Sequence, residues 1–393
     1  MNQKVVIIGI GYTSKLGLIR SIASLGAEIS VISLENVKLK PLDYYCKYVS
    51  HYYFCHGNSE ERLMYLLTNN CIDKEQKVIL IPNNDFSTTV IDKNANLLKE
   101  HFLFPHINHE QGAITDWMNK EKQKNLAKSC GIKVANANNV VISNGSYQLS
   151  PNIKYPCFTK TRAYVSGYKQ TLHKCLNEKE LRDVLDFFCI KFKDLTVMIE
   201  DYMDISKEYA VVGFSDGKNV IIPGIIEILL MISGKHKGVA CQGSIMPISG
   251  FENLVEKFKR MILEIGFVGL FDIDFYLSEG MYYFGEINLR IGGSGSAVSR
   301  MGVNLPAMFV KSLLGESTDD MQKEIKDTAI YANERICCDY WQDGELSTKE
   351  FRRIMKASSI HFIKDKYDKK PLLLFRRYLI VKGIKRLLKK RKI

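Results

Sequence analysis

The feature that most constrains this chain is a hairpin that carries acidic side chains into apolar strands. The segment FDIDFYL (271–277) alternates apolar and polar residues, SEG (278–280) supplies a turn, and MYYFGEIN (281–288) alternates again. On a strand, this period of two places Glu286 and Asn288 on the same face. The chain must therefore build a sheet whose polar strand end faces either solvent or a bound ion.

The acids of this hairpin indicate a metal site. Asp272 and Asp274 share one face of the first strand, and antiparallel pairing can bring Asp274 close to Glu286. Adjacent carboxylates repel each other unless a cation lies between them, and Mg²⁺ prefers oxygen ligands. We therefore predict that Asp274, Glu286 and Asn288 hold the metal. The alternative is a hairpin whose acids only face solvent.

The first hundred residues predict an α/β domain. Apolar runs at 4–10, 27–35 and 77–85 read as strands, and residues 16–26 have the apolar spacing of a helix. Strands that alternate with helices in this way form a parallel sheet with crossover helices.

After residue 112 the pattern changes to an α+β body. Helical spacing is predicted at 116–132 and 253–267. The strand-like segments between these two helices are 155–160, 195–202, 208–214 and 219–230.

Composition limits the classes of partner. The chain of 393 residues is 46% hydrophobic and 25% charged, which is ordinary for a globular protein. Its net charge is +12, but residues 352–393 alone carry 16 Lys and Arg against two acids, so the rest is close to neutral. We therefore expect no nucleic-acid partner. Ten cysteines without a CxxC pair, and no apolar run of about 18 residues, favour a cytoplasmic protein.

One glycine-rich turn suggests a nicotinamide cofactor but does not meet the motif. In GIGYTSKLG (9–17) the position that G-x-G-x-x-G requires to be glycine is Ser14. Glu35 is near the place of a ribose-binding acid. A turn that shapes a substrate pocket, with Ser14 in contact with substrate, is our preferred interpretation. No Walker A sequence is present, so another arrangement must hold any nucleotide.

Several motifs resemble, in kind and in their order along the chain, those of the ATP-grasp superfamily, which includes carbamoyl-phosphate synthetase, biotin carboxylase and D-alanine–D-alanine ligase. An acid followed twelve residues later by EINLRIGGS resembles its metal-binding core. Lys120 in NKEKQKNLAKSCGI and Lys160 at the end of YPCFTK resemble its nucleotide-binding lysines. In VMIEDYMDISKEYAV, Glu200 and Tyr202 resemble the adenine-binding hinge and Glu208 the ribose-binding glutamate.

The resemblance implies three segments. Residues 1–111 would form the α/β parallel-sheet domain that precedes the ATP-grasp domain. Residues 112–330 would form the α+β ATP-grasp domain, with nucleotide between its two subdomains. Residues 331–393 would be a C-terminal extension with a basic helical tail. Two departures are Leu289, where relatives have proline, and a loop after Lys160 with a single glycine.

The implied activity is an ATP-dependent carboxylate–amine ligase that forms an acyl phosphate and then an amide, releasing ADP and phosphate. ATP and one or two Mg²⁺ would be the cofactors, with Mn²⁺ as the alternative metal. Arg290 and Lys160 would be catalytic. Further substrate contacts are expected from Ser14, Asp85, His236 and Ser294. For Asp85 a helix N-cap is the alternative, and for residues 233–244 a surface loop.

Narrower expectations concern substrates and location. A free dipeptide-forming ligase is the alternative within the superfamily, and a nicotinamide-dependent oxidoreductase or a non-catalytic nucleotide-binding module lies outside this reaction class. Residues 369–393 contain no acid and have helical apolar spacing at Ile380, Ile384, Leu387 and Leu388. A basic helix on anionic lipid and a helix docked on the protein are both compatible with this pattern. A membrane-side role would suit a surface-glycan or lipid-linked precursor, and relatives suggest a homodimer.

Overall fold

The computed structural model describes residues 3–36, 40–161, 173–231 and 240–390, with the backbone alone for residues 12, 161 and 384–390. The chain falls into two compact units. Unit 1 comprises Met1–Ile114, Tyr209–Ile273 and Asn288–Ile393, and unit 2 comprises Thr115–Glu208 and Asp274–Ile287. The boundaries expected at 111 and 330 stay a prediction.

Unit 1 begins with the predicted parallel sheet, whose strand order is β3-β2-β1-β4-β5. Its strands are β1 (Lys4–Gly9), β2 (Glu28–Ser33), β3 (Val49–Phe54), β4 (Val78–Pro82) and β5 (Phe102–Leu103). The helices along this stretch are α1 (Tyr12–Ala23), α2 (Glu60–Asn70), α3 (Asp85–Lys93) and α4 (Ala95–Leu98). Because β1 and β4 are parallel neighbours, the turns after them meet at one edge of the sheet, where ligands bind in such folds.

Helix α1 begins four residues before the predicted start. Gly11, at a φ of 80°, precedes it, and the polar first turn shows none of the apolar spacing used to predict it. Ser14 consequently lies inside the helix rather than in a turn. A short strand β6 (His106–Ile107) pairs with Phe267 and Val268 in the same unit.

Residues 113–208, nearly all of which belong to unit 2, contain the next helices and strands. They are α5 (Ala113–Trp117), α6 (Lys120–Ser129), β7 (Lys133–Val134), β8 (Ala137–Ser143), β9 (Cys157–Thr161), β10 (His173–Cys175), α7 (Glu178–Lys191) and β11 (Asp194–Asp201). Four of the strands form a sheet in the order β10-β9-β11-β8. The single helix predicted at 116–132 is two helices, because the Asn119 side chain caps α6 by accepting from the N–H groups of Glu121 and Lys122.

The later strands are β12 (Lys207–Asp216), β13 (Val220–Ile221), β14 (Ile225–Leu230), β15 (Gln242–Met246), β16 (Phe267–Ser278), β17 (Met281–Asn288), β18 (Ala329–Ala332) and β19 (Ile360–His361). In unit 1 they follow the order β19-β18-β15-β14-β12-β16, and in unit 2 β17 pairs in parallel with β7. The strand predicted at 219–230 is interrupted between β13 and β14, where Pro223 has no N–H to donate to a neighbouring strand.

The remaining helices are α8 (Glu252–Ile265), α9 (Gly295–Arg300), α10 (Leu305–Leu313), α11 (Glu334–Asp343), α12 (Thr348–Ala357) and α13 (Lys370–Lys390). Buried side chains of α1, β1, β12 and α10 share one apolar core in unit 1, including Leu16, Ile7, Val212 and Phe309. The predicted fold class is confirmed: an α/β parallel sheet, an α+β body and a basic C-terminal helix.

Candidate active site

In unit 2, the start of α6 is fixed against the strand that carries Glu286. Lys120 Nζ lies 2.9 Å from Glu286 Oε2. One turn along the helix, the buried Gln123 donates to the carbonyl of Ile287 and accepts from its N–H, both at 2.9 Å. This two-sided amide contact sets the position of the helix on β17. A predicted nucleotide-binding lysine and a predicted metal ligand therefore lie side by side.

A second cluster joins two lysines to one glutamate. Lys160 on β9 and Glu200 on the neighbouring β11 are 2.9 Å apart, and Lys124 contacts the other carboxylate oxygen of Glu200. Burial alone would raise the pKa of Glu200, but the charges of Lys160 and Lys124 outweigh it and hold that pKa below its ordinary value. Burial lowers the pKa of Lys124. The cluster keeps one positive charge in excess.

Tyr202 and Glu208 lie after the end of β11. The Tyr202 backbone N–H donates to the carbonyl of Pro156 at 3.1 Å, its ring is 39% exposed, and Lys174 Nζ lies 3.7 Å from the ring centroid. Glu208 is half-buried near the start of β12, and burial raises its pKa. Tyr202 therefore offers an exposed aromatic side chain and Glu208 a partly buried carboxyl group, and the adenine and ribose contacts stay predictions.

The buried phenol of Tyr276 on β16 lies near several carboxylates of unit 2. Burial raises its pKa well above the ordinary value, and the negative charges of Asp274, Glu286, Glu208 and Glu200 raise it further. These four acids therefore all lie within electrostatic range of one phenol. Two of them, Asp274 and Glu286, are predicted metal ligands.

The predicted metal ligands offer only oxygen donors. Glu286 and Asn288 are two residues apart on β17, and Asp274 lies on β16. Among the described residues, no group of three or more His, Cys, Asp or Glu side chains could hold a metal ion by itself. Two carboxylates and one amide fit Mg²⁺, since this ion is usually held by one or two carboxylates together with substrate phosphates and water.

Arg290 in unit 1 is paired with Asp85. Its Nε lies 2.7 Å from Asp85 Oδ1, and its Nη2 donates to Asn288 Oδ1 at 3.2 Å. Asp85 is the first residue of α3, whose N-cap is Asn84. The alternative of Asp85 as an N-cap is therefore wrong, because the Asn84 side chain accepts from the N–H of Ser87. Asp85 is instead the acidic partner of the predicted catalytic arginine.

The glycine and serine segment after Arg290 lies against buried polar groups of unit 1. A Cβ at Gly292 would come within 1.5 Å of Asp272 Oδ2, so only glycine lets the two segments approach this closely. The Ser294 hydroxyl lies 3.1 Å from the hydroxyl of Tyr331. Burial raises the pKa of Tyr331 to about 12, so this phenol is protonated at neutral pH.

At the edge of the parallel sheet, Ser14 is held by Asn83. The Asn83 amide donates to Ser14 Oγ at 3.2 Å and to the carbonyl of Ile10 at 2.9 Å. Glu35 accepts from the N–H of Gly11 and from Lys15, so its carboxylate is engaged inside the protein. His236 and the loop 162–172 after Lys160 lie outside the described residues.

Sequence reasoning missed four contributors to these clusters: Gln123, Lys124, Tyr276 and Tyr331. Only Lys124 had a usable signal, because it lies one helical turn after Lys120 and so shares its face.

Comparison with known proteins identifies the fold and its relatives. Residues 227–336 match a family model described as ATP-grasp in the biosynthetic pathway with Ter operon. The carbamoyl phosphate synthase large chain of Clostridium botulinum (strain Loch Maree / Type A3) is 25% identical over 337 residues, covering 81% of this chain. The chain spans only 30% of the length of that relative.

Solved structures agree with this assignment of the fold. The biotin carboxylase domain dimer of Hydrogenobacter thermophilus 2-oxoglutarate carboxylase, in complex with MgADP, ADP and bicarbonate, has a TM-score of 0.65 at 18% identity, covering 84% of this chain and 74% of that one. An L-amino acid ligase from Bacillus licheniformis has a TM-score of 0.62 at 14% identity, covering 84% and 79%. The predicted resemblance to the ATP-grasp superfamily is confirmed.

Proposed function

We propose that this chain, a relative of the ATP-grasp ligases, is an ATP-dependent enzyme that activates a carboxylate as an acyl phosphate and joins it to an amine. The observation that carries the proposal is the presence in unit 2 of two lysine–carboxylate clusters, Lys120 with Glu286 and Lys124 and Lys160 with Glu200. Fixed positive charges beside carboxylates suit a phosphate chain and its metal ion.

In the proposed reaction, Lys120 and Lys160 contact the phosphates of ATP and stabilise the charge of the transferring phosphoryl group. Asp274, Glu286 and Asn288 hold one or two Mg²⁺, which neutralise the phosphate oxygens when bound. Because Lys120 and Glu286 pair with each other at 2.9 Å, this ion pair would have to open for Lys120 to contact phosphate and for Glu286 to hold the metal. The MgADP complex of the Hydrogenobacter enzyme supports ATP and Mg²⁺ as the cofactors.

Arg290 and Asp85 support a carboxylate and an amine as the two substrates. The Arg290 side chain already binds one carboxylate, that of Asp85, at 2.7 Å. A substrate carboxylate can take the place of Asp85 on the guanidinium, and Asp85 can then accept a hydrogen bond from the substrate ammonium group. Once the ammonium group has passed a proton to Asp85, the neutral amine attacks the acyl carbon, Arg290 stabilises the oxyanion that forms, and the amide results as phosphate leaves. Tyr331, through Ser294, fixes the segment beside it.

The adenine and ribose contacts are proposed at Tyr202 and Glu208, whose places after β11 suit them. Glu200 is better assigned to positioning Lys160, since its carboxylate is 5% exposed and engaged by two lysines. Ser14 and His236 stay proposed substrate contacts.

The narrower proposal is attachment of an amine to a surface-glycan or lipid-linked precursor at the inner face of a membrane, by a homodimer. A free dipeptide-forming ligase is the second candidate, and the fold shared with the Bacillus licheniformis L-amino acid ligase favours it. A nicotinamide-dependent oxidoreductase is less well supported, because Gly11 and Lys15 engage the carboxylate of Glu35 that would bind the ribose.

The test is ADP release from MgATP, screened over amino acids and uronic acids with and without amines. Release that requires both a carboxylate and an amine supports the ligase. The Glu286→Gln variant should lose this activity about 10²–10³-fold, since one charge-stabilising group is removed. The matched control is Glu279→Gln in the exposed turn of the same hairpin, which should keep full activity. Full activity in Glu286→Gln, or NAD(H) binding without ATP binding, would overturn the proposal.

A further inference from the structure

We propose that α13 is a two-faced helix that docks on unit 1 by one side and binds an anionic lipid surface with the other. The inference concerns a separate surface and does not depend on the ligase chemistry.

The inner face of α13 is packed on the protein. Phe375 is 3% exposed and lies in an apolar cluster with Cys338 and Ile363, which Leu372 and Leu379 also contact. Just before the helix, the buried Asp368 carboxylate accepts from Arg20 Nη2 at 2.9 Å and from Nε at 3.2 Å. The beginning of α13 is therefore held in a fixed orientation.

The outer face is apolar and exposed. Leu373, Ile380 and Val381 are 55%, 64% and 50% exposed. At about 100° per residue, Leu373 and Ile380 lie within about 20° of each other, whereas Phe375 lies about 200° away from Leu373. The exposed aliphatic side chains thus form a stripe on the side of the helix opposite the docked face. We call Leu373, Ile380 and Val381 the outer stripe.

Basic side chains accompany the outer stripe. Arg376 and Arg377 are exposed on the same turns, and Lys369 and Lys370 are exposed at the start of the helix. Residues 369–393 contain eleven Lys and Arg and no acid. The basic side chains that the structure describes on this helix are therefore not offset by an acid of the same segment.

An anionic bilayer surface fits both properties at once. Its headgroups attract the arginines and lysines, and its acyl boundary can bury the aliphatic side chains that are otherwise exposed to water. A nucleic acid would use the positive charge but would leave the outer stripe in water. None of the helices in the described ranges is long and apolar enough to span a bilayer.

The experiment is sedimentation of the full chain with vesicles of phosphatidylcholine alone or mixed with phosphatidylglycerol. We expect binding to the anionic vesicles only, reduced by high salt. Arg376→Gln/Arg377→Gln should weaken it about 25-fold, at about fivefold for each charge. Leu373→Gln/Ile380→Gln/Val381→Gln should weaken it at least tenfold.

The matched control replaces exposed apolar residues elsewhere: Leu97→Gln/Ile190→Gln, at 62% and 85% exposure, should bind as the unmodified chain does. Melting temperatures show whether each variant is folded. If an outer-stripe variant is unfolded, a chain ending at Lys382, which lacks the last basic turns but keeps the docked residues, takes its place and should also bind more weakly. Equal binding to neutral vesicles, or unchanged binding in the folded outer-stripe variant, would overturn the proposal. So would a clear preference for duplex DNA over anionic vesicles.

Discussion

Each unit contains a buried lysine that is paired with at least one carboxylate, but the ratio of positive to negative side chains differs between the two clusters. In unit 1, Lys15 is fully buried, and its Nζ lies 2.9 Å from Glu35, 3.2 Å from Asp43, 3.0 Å from Ser33 and 3.3 Å from Tyr52. One cation meets two carboxylates and two hydroxyls. The three ammonium protons of Lys15 are all engaged inside the protein, so this lysine stabilises the fold and has no proton left to donate to a ligand.

Unit 2 has the opposite balance. Lys124 and Lys160 share the single carboxylate of Glu200, and the Lys160 side chain is 18% exposed against 7% for Lys124. A cation in excess with access to solvent suits an anionic ligand. The ratio of cations to acids, together with exposure, is therefore the difference between the structural lysine of unit 1 and the proposed phosphate-binding lysine of unit 2.

The largest expected effect comes from removing the cation of the structural cluster around Lys15. Lys15→Met leaves Glu35 and Asp43 without their cation, and removing one partner of a buried ion pair costs about 3–5 kcal/mol. Urea unfolding followed by circular dichroism measures the loss in the free energy of unfolding. The control is Lys4→Met: the Lys4 side chain is 42% exposed in its ion pair with Asp73, so its loss should matter far less. Equal stability of the two variants would show that the Lys15 cluster is not structural.

The next effect separates the two lysines of unit 2. Lys160→Met should lower kcat/KM for ADP formation about 10²–10³-fold, since a fixed charge beside the phosphates is lost. Lys124→Met should mainly lower the free energy of unfolding, because Lys124 is the more deeply buried partner of Glu200. Steady-state kinetics and urea unfolding on the same samples separate the two outcomes, with the exposed Lys179→Met on α7 as the control. If Lys124→Met lost more activity than Lys160→Met, the roles assigned from exposure would be reversed.

Sequence patterns predicted what depends on local order. The β16–β17 hairpin and the parallel sheet follow from apolar periodicity and turn residues, which act over a few positions. The ion pair between Asp85 and Arg290 joins residues 205 positions apart, and that between Lys124 and Glu200 joins residues 76 positions apart. Such pairs depend on how distant segments pack. The residue types therefore indicated which side chains belong to the candidate site, but not which of them contact each other. Glu200 is an example: its motif predicts a place in the adenine-binding hinge, and only the packing shows that two lysines engage its carboxylate.

The smallest expected effect is on how the free energy of unfolding depends on pH, which should differ between the Lys15 cluster of unit 1 and the Glu200 cluster of unit 2. Burial raises the pKa of Asp43 above its ordinary 3.8, although Lys15 opposes this, so from pH 3.8 upward the native state keeps a proton that the unfolded chain has released. Asp43 therefore contributes less stability as pH rises through this window. For Glu200, burial opposes ionisation but Lys160 and Lys124 hold the pKa below 4.5, so its contribution grows as pH rises towards 4.5.

The two contributions should therefore change in opposite directions between pH 3.8 and 4.5. Urea unfolding across this range gives the difference between the unmodified chain and Asp43→Asn, which should decrease with pH, and the difference for Glu200→Gln, which should increase. Asp183→Asn, on the exposed side of α7, corrects for the general effect of losing one carboxylate. Parallel slopes for Asp43 and Glu200 would mean that the two clusters are electrostatically alike. The cation excess of unit 2 would then no longer distinguish a phosphate-binding cluster from a structural one.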